Sequence, residues 1–195
     1  MAENKIKFGL KNVYYAVATI AADGSATYDT PVAFPGAVSL SLSPNGDTTP
    51  FYADNIAYWV GVSNTGYEGD FEIAKVVDSF KTDVLGYKTD NKSVLLEDAN
   101  AATVHFALLF QFEGDQKATR HVMYNCTATR PSAAGSTKTE TVEPETETLT
   151  LTATSIYVAG LGNGMDIVKA ESIDSTDSTT YSGWFSGVYI PTALA

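Results

Sequence analysis

The chain has 195 residues, 44% of them hydrophobic and 11% aromatic, which is enough to build a real core and too much for a chain disordered along its length. Its formal net charge of −11 and pI of about 4.4 exclude a protein that grips nucleic acid through phosphates, because that task needs a basic surface. A single cysteine, Cys126, excludes an intrachain disulfide framework.

Val, Thr, Tyr and Phe recur in short runs between Gly, Asn, Asp and Pro, which predicts a mainly β protein, one domain over residues 1–195. The start "MAENKIKFGLKN" lacks the apolar segment and cleavage site of a signal peptide. Apolar runs such as "FALLF" are too short to span a bilayer. The expectation is a soluble chain made in a reducing compartment, with no membrane association.

Residues 1–12 read as a mixed-charge arm and 13–20 ("VYYAVATI") as the first strand. "AVSLSLS" alternates, Val38, Leu40 and Leu42 on one face and Ser39, Ser41 and Ser43 on the other. "PNGD" marks a turn before "TPFYAD". "IAYWVGVS" and "YEGDFEIAK" then predict a hairpin with Thr65-Gly66 as its loop, Val60 opposite Phe71 and Tyr58 opposite Ile73. Trp59, Gly61 and Ser63 would lie beside Glu72, Asp70 and Glu68. One helix follows, with Asp78 as N-cap, an apolar stripe of Val77, Phe80, Val84 and Leu85, and Gly86 as stop.

A second hairpin over 103–129 turns at "GDQ", pairing Phe106 with Tyr124, Leu108 with Val122, Phe112 with Ala118 and Glu113 with Lys117. Residues 132–146 form a long polar loop. "TETLTLTAT" alternates again, Leu149 and Leu151 inward and threonines outward. "GLGNG" at 160–164 is a turn. In the helical, aromatic arm at 175–195, Tyr181, Trp184, Phe185 and Val188 follow helical spacing weakened by Gly183 and Gly187. That much apolar surface must dock on its own core or on a neighbour.

Glu68, Asp70 and Glu72 are the candidate acidic row. Carboxylates two residues apart on a strand sit roughly 7 Å from each other, within the range an inverting glycosidase uses. The stretch loosely resembles the Glu-x-Asp-x-x-Glu strand of some jelly-roll glycosidases, one residue short, and Trp59 could stack on a sugar. No further aromatic platforms accompany it, and a charged outer face is ordinary for a half-buried strand. His105, paired with Asn125, and His121, paired with Leu109, would lie roughly 13 Å apart, too far to share a metal. Cys126 reads as a small core hydrophobe. Arg120 and Arg130 are expected to pair with carboxylates, within or between subunits. No catalytic set, metal site or cofactor motif emerges.

A larger signal lies in ordered phrases: "KFGLKNVYYA" at 7–16, "PGAVSLSLSPNGDTTPFYADN" at 35–55 and "NTGYEGDFEIA" at 64–74. "FALLFQFEGDQKATRHVMYNCTATRP" at 106–131, "GSTKTETVEPETETLTLTAT" at 135–154 and "YSGWFSGVY" at 181–189 complete the set. In this order they resemble the major tail proteins of long-tailed phages that infect Gram-positive bacteria. The resemblance implies a tail-tube β-sandwich or partial barrel of two antiparallel sheets flanked by one helix. Six subunits would close into a ring, their inner sheets joined around a lumen, and rings would stack along the tape-measure protein. Tail-terminator and baseplate proteins would be further partners, and double-stranded DNA would pass through without sequence-specific binding. The location implied is the virion tail, assembled in the host cytoplasm, with no enzymatic activity. Trp184, Phe185, Tyr189, Arg120 and Arg130 are candidate inter-subunit contacts, as are the N-terminal arm and the long loop. The alternatives are another virion β-sandwich (terminator, decoration or host-binding module) and a glycan hydrolase built on Glu68, Asp70 and Glu72.

Overall fold

Strands account for most of the regular secondary structure, as the β-branched and aromatic runs dictate. The computed structural model describes residues 4–137 and 144–194. In chain order it has β1 (Lys7–Ile20), β2 (Ala26–Tyr28), β3 (Val32–Ala33), β4 (Ala37–Asn45), β5 (Thr48–Ala53), β6 (Ile56–Val62) and β7 (Gly66–Ile73). Helix α1 (Asp78–Asp83) is followed by β8 (Lys88–Thr89), β9 (Leu95–Leu96), β10 (Phe106–Gly114) and β11 (Thr119–Ala128). The chain continues with β12 (Glu147–Thr154), β13 (Ile156–Val158), β14 (Met165–Ile167), β15 (Lys169–Glu171) and helix α2 (Ser178–Gly183).

A large antiparallel sheet runs β2-β1-β10-β11-β12-β7-β4, with β15 added to β11 and β3 to β1; β5–β6, β8–β9 and β13–β14 are separate ribbons. The mainly β, sandwich-like architecture with a mid-chain helix agrees with the sequence expectation. Two cores lie on opposite faces of β1, β10 and β11. One gathers Tyr15, Phe71, Phe106, Leu108 and Leu149 around Phe80 of α1. The other joins Leu109, Val122 and Tyr124 to Ile156, Val158 and Trp184. In the first, Phe34 stacks on Phe80 at 4.5 Å, and Tyr15 meets the same ring edge-on at 5.1 Å. The Tyr15 hydroxyl donates to Asp83 at 2.9 Å, and burial pushes its phenol up to about 12.

Several local expectations are corrected. The first strand begins at Lys7, so half of the supposed arm belongs to the sheet, with register shifts after Phe8 and Lys11. Val38 falls at another register shift and is exposed, while Leu40 and Leu42 pack on the core as expected. β6 pairs with β5, not with β7, because the Asp54-Asn55 pair, both at positive φ, makes a tight hairpin turn before β6 begins. β7 pairs instead with β4 and β12.

In β10–β11 the pairing is offset by one residue, Leu108 opposite Met123 and Phe112 opposite Thr119, with a bulge bringing Phe106 opposite Cys126. Both faces of that hairpin are buried, so no polar alternation fixes its register. The turn is shaped from outside: Asn4 accepts from the amides of Gln116 and Lys117 at 2.9 and 3.0 Å.

Val77, not Asp78, is the N-cap of α1, and no side chain caps it; Asp78 occupies the first turn, where its charge still suits the helix dipole. Gly86, at φ +75°, stops the segment as predicted. The C-terminal helical pattern through Val188 is cut at Gly183, leaving α2 six residues long with Asp177 as its cap. "GLGNG" is the turn between β13 and β14. Of the predicted 132–146 loop, residues 138–143 lie outside the described residues, and the remainder carries no helix or strand.

Candidate functional site

Glu68, Asp70 and Glu72 project from the outer face of β7 because Phe71 and Ile73 take the core face. Register then builds a three-lane surface. Ser39, Ser41 and Ser43 of β4 stand opposite Glu72, Asp70 and Glu68 on one side, and Thr148, Thr150 and Thr152 of β12 on the other. Gly69 sits in the middle lane, where a Cβ would strike the carbonyl oxygen of Ser41. Only glycine lets β4 and β7 approach that closely.

Hydroxyls and an amide hold the carboxylates in place. Asn45 donates to Glu68 at 3.2 Å, Thr150 to Asp70 at 2.9 Å, and Ser39 and Thr146 to Glu72 at 2.9 and 2.6 Å. The bonds from Thr146 and then Ser39 favour the charged form of Glu72 and lower its pKa below the usual carboxylate value. Among the described residues none of the ion pairs includes Glu68, Asp70 or Glu72. The face is therefore anionic and hydroxyl-lined.

The predicted arrangement of Trp59 beside this row is overturned. Trp59 pairs with Phe51 in the β5–β6 ribbon, so the row has no adjacent aromatic platform from β6. The chemistry of the face is that of fixed negative charge, each carboxylate accepting hydrogen bonds.

The remaining predicted residues lie elsewhere. Trp184 is buried within its own chain, stacks on Tyr189 at 5.4 Å and donates its indole N–H to the His121 carbonyl at 3.3 Å. Phe185 stacks on Tyr14 at 5.0 Å, and the Tyr189 carbonyl accepts from the Tyr124 hydroxyl at 2.8 Å. Among the described residues Arg120 has no carboxylate partner within the chain. Its guanidinium lies 3.9 Å from the Tyr181 ring centroid, and it donates to the Tyr181 carbonyl and, at 3.3 Å, to Gln111. Arg130 does pair as expected, with Glu97 at 2.9 Å.

His105 contacts Asn125 at 2.6 Å, whereas His121 stacks on Phe110 at 5.1 Å, and among the described residues the two share no partner. Burial lowers the His121 imidazole to about 4, against a weaker opposing pull from Glu171. Cys126 is fully buried, and its thiol is pushed up to about 12 by that burial. Among the described residues no group of three His, Cys, Asp or Glu could hold a metal, and no helix is long and apolar enough to cross a membrane.

Sequence reasoning missed the most unusual surface. Phe51, Tyr52, Ile56, Tyr58, Trp59 and Val60 of β5–β6 are each between 48% and 72% exposed. The available signal was the Asp-Asn turn at 54–55, which marks a self-contained hairpin. No protein-family model matches the chain, and no curated protein matches it.

Proposed function

We propose that the protein is the structural subunit of a phage tail tube, a homohexameric ring that stacks into a conduit for double-stranded DNA. The face of β4, β7 and β12 forms the lumen wall in this reading. The observation that carries it is the lane of Glu68, Asp70 and Glu72 between rows of serine and threonine, with no ion-pair partner among the described residues. DNA presents about one negative charge per 1.7 Å, and a basic wall would hold it by releasing counterions. A wall of fixed carboxylates gives no such grip, so DNA slides. The resemblance of the phrases between 7 and 154 to major tail proteins supports the same role.

Assembly also fits the sheet. β4 ends the sheet's pairing order, and an unpaired edge is an aggregation hazard that ring closure removes. The tape-measure, terminator and baseplate proteins are the partners this role requires, the virion tail is its location, and no catalytic set is assigned. Electron microscopy of the purified protein tests the reading: rings or tubes are expected, and isolated monomers contradict it. The triple change Glu68→Gln, Asp70→Asn, Glu72→Gln should leave rings intact and slow genome ejection. An unchanged ejection rate would remove the face from the lumen.

A further inference from the structure

At one end of the first core, strands that are not neighbours in the sheet leave a cavity of about 200 Å³ between them. β10 and β11 supply Phe110, Phe112 and His121, whose ring centroids lie 5.1 to 5.4 Å apart. β4 and β7 supply Leu40, Leu42 and Tyr67. Phe112, Tyr67 and the two leucines are only half-buried, so the apolar space opens to water.

Two ammonium groups stand at its mouth. Lys7 lies 5.1 Å from the Phe112 ring centroid and Lys169 5.3 Å from that of Tyr67, so each cation is held over an aromatic face of the lining. Among the described residues Lys7 enters no ion pair, and Lys169 reaches only Glu171, at 3.9 Å. His121 is neutral at pH 7 because burial lowers its pKa to about 4. The charged groups on the lining are therefore two lysines and one carboxylate, an excess of one positive charge in a chain of net charge −11.

We propose that this cavity binds a small aromatic monocarboxylate, its ring among Phe110, Phe112, Tyr67 and the leucines and its carboxylate at the mouth beside Lys7 and Lys169. The inference goes beyond the tube reading and does not depend on it. Size limits the ligand first: the cavity is below the ~300–1,000 Å³ of sites for drug-sized molecules, which suits one or two fused rings. Charge limits it next. A cation is repelled by the lysines, and a polyanion is repelled by the rest of the chain. An inorganic anion gains nothing from the apolar lining. A carboxylate left at the mouth keeps part of its hydration, so the ring is buried without the cost of burying the charge.

The test is a saturation-transfer NMR titration of the full chain, which reads weak ligands on monomers and assemblies alike. The probe is 2-naphthoate, with uncharged 2-naphthamide as its isosteric control. Naphthoate is expected to bind with a Kd of about 1 mM or tighter, and naphthamide several times more weakly. The double variant Lys7→Gln, Lys169→Gln should weaken naphthoate binding roughly tenfold with its urea unfolding midpoint unchanged. Glu171→Gln, which removes the one carboxylate of the lining, should tighten it, an effect that a merely structural role for Glu171 would not produce. Absence of transfer to naphthoate overturns the proposal. Equal binding of naphthoate and naphthamide, or lysine variants that bind naphthoate like the unsubstituted chain, overturns the anion site at this mouth. None of these outcomes bears on whether the chain forms rings, which the micrographs decide separately.

Discussion

The β10–β11 hairpin and the β5–β6 ribbon are built from the same kind of residues, apolar and aromatic runs with few charges, and their surroundings are opposite. Phe106, Leu108 and Phe110 are buried on one face of β10, with Ala107 and Leu109 buried on the other, between the two cores. Phe51, Tyr52, Tyr58 and Trp59 are exposed on a ribbon that, among the described residues, pairs only with itself. Composition alone does not say where an apolar strand is satisfied. β10 is covered by its own chain, and the ribbon is exposed.

Mutations that act on the covered region should have the largest effects on stability. Phe80→Ala removes the ring on which Tyr15, Phe34 and Phe106 converge, and should cost about 3–5 kcal/mol in urea denaturation. A cost below ~1 kcal/mol would mean that the core around β10 is far looser than described.

Protonation of His121 comes next. Its pKa is lowered to about 4 in the fold by burial, against ~6.5 unfolded. The unfolded chain therefore binds more protons between those values. The contribution is fully present above pH ~6.5 and is lost as pH falls through this window to about 4, with a size on the order of 2–3 kcal/mol. His121→Phe keeps an aromatic ring against Phe110 and should lack that pH dependence. Parallel stability curves for the two proteins would contradict the burial of a neutral imidazole.

Arg120→Lys is smaller and local. It should release the stacking on Tyr181 and cost about 1–2 kcal/mol, seen as faster amide exchange in residues 178–190. The smallest effect belongs to the uncovered region. Trp59→Ser should leave monomer stability within ~0.5 kcal/mol, and a cost above ~1 kcal/mol would mean that the ribbon packs on its own chain after all.

The sequence made some elements legible and hid others for physical reasons. Strict alternation revealed the outward Ser of β4, the outward Thr of β12 and the inward Leu149 and Leu151, because one face of each strand is polar. It did not reveal that β4 and β12 flank β7, since that pairing joins residues far apart in the chain. The acidic row was visible residue by residue, but its hydroxyl neighbours were not. Register failed where both faces are apolar, in β10–β11, and where the deciding group is remote, Asn4 at the 114–118 turn. Arg120 was expected to meet a carboxylate within or between subunits; within the chain Tyr181 and Phe185 reach it, from a segment about sixty residues away that no local pattern joins to it.

The tube account is tested most directly by a reconstruction of the assembled particle from electron micrographs. It predicts a ring of six copies with Glu68, Asp70 and Glu72 turned to the lumen. A ring with that acidic face outward would contradict it.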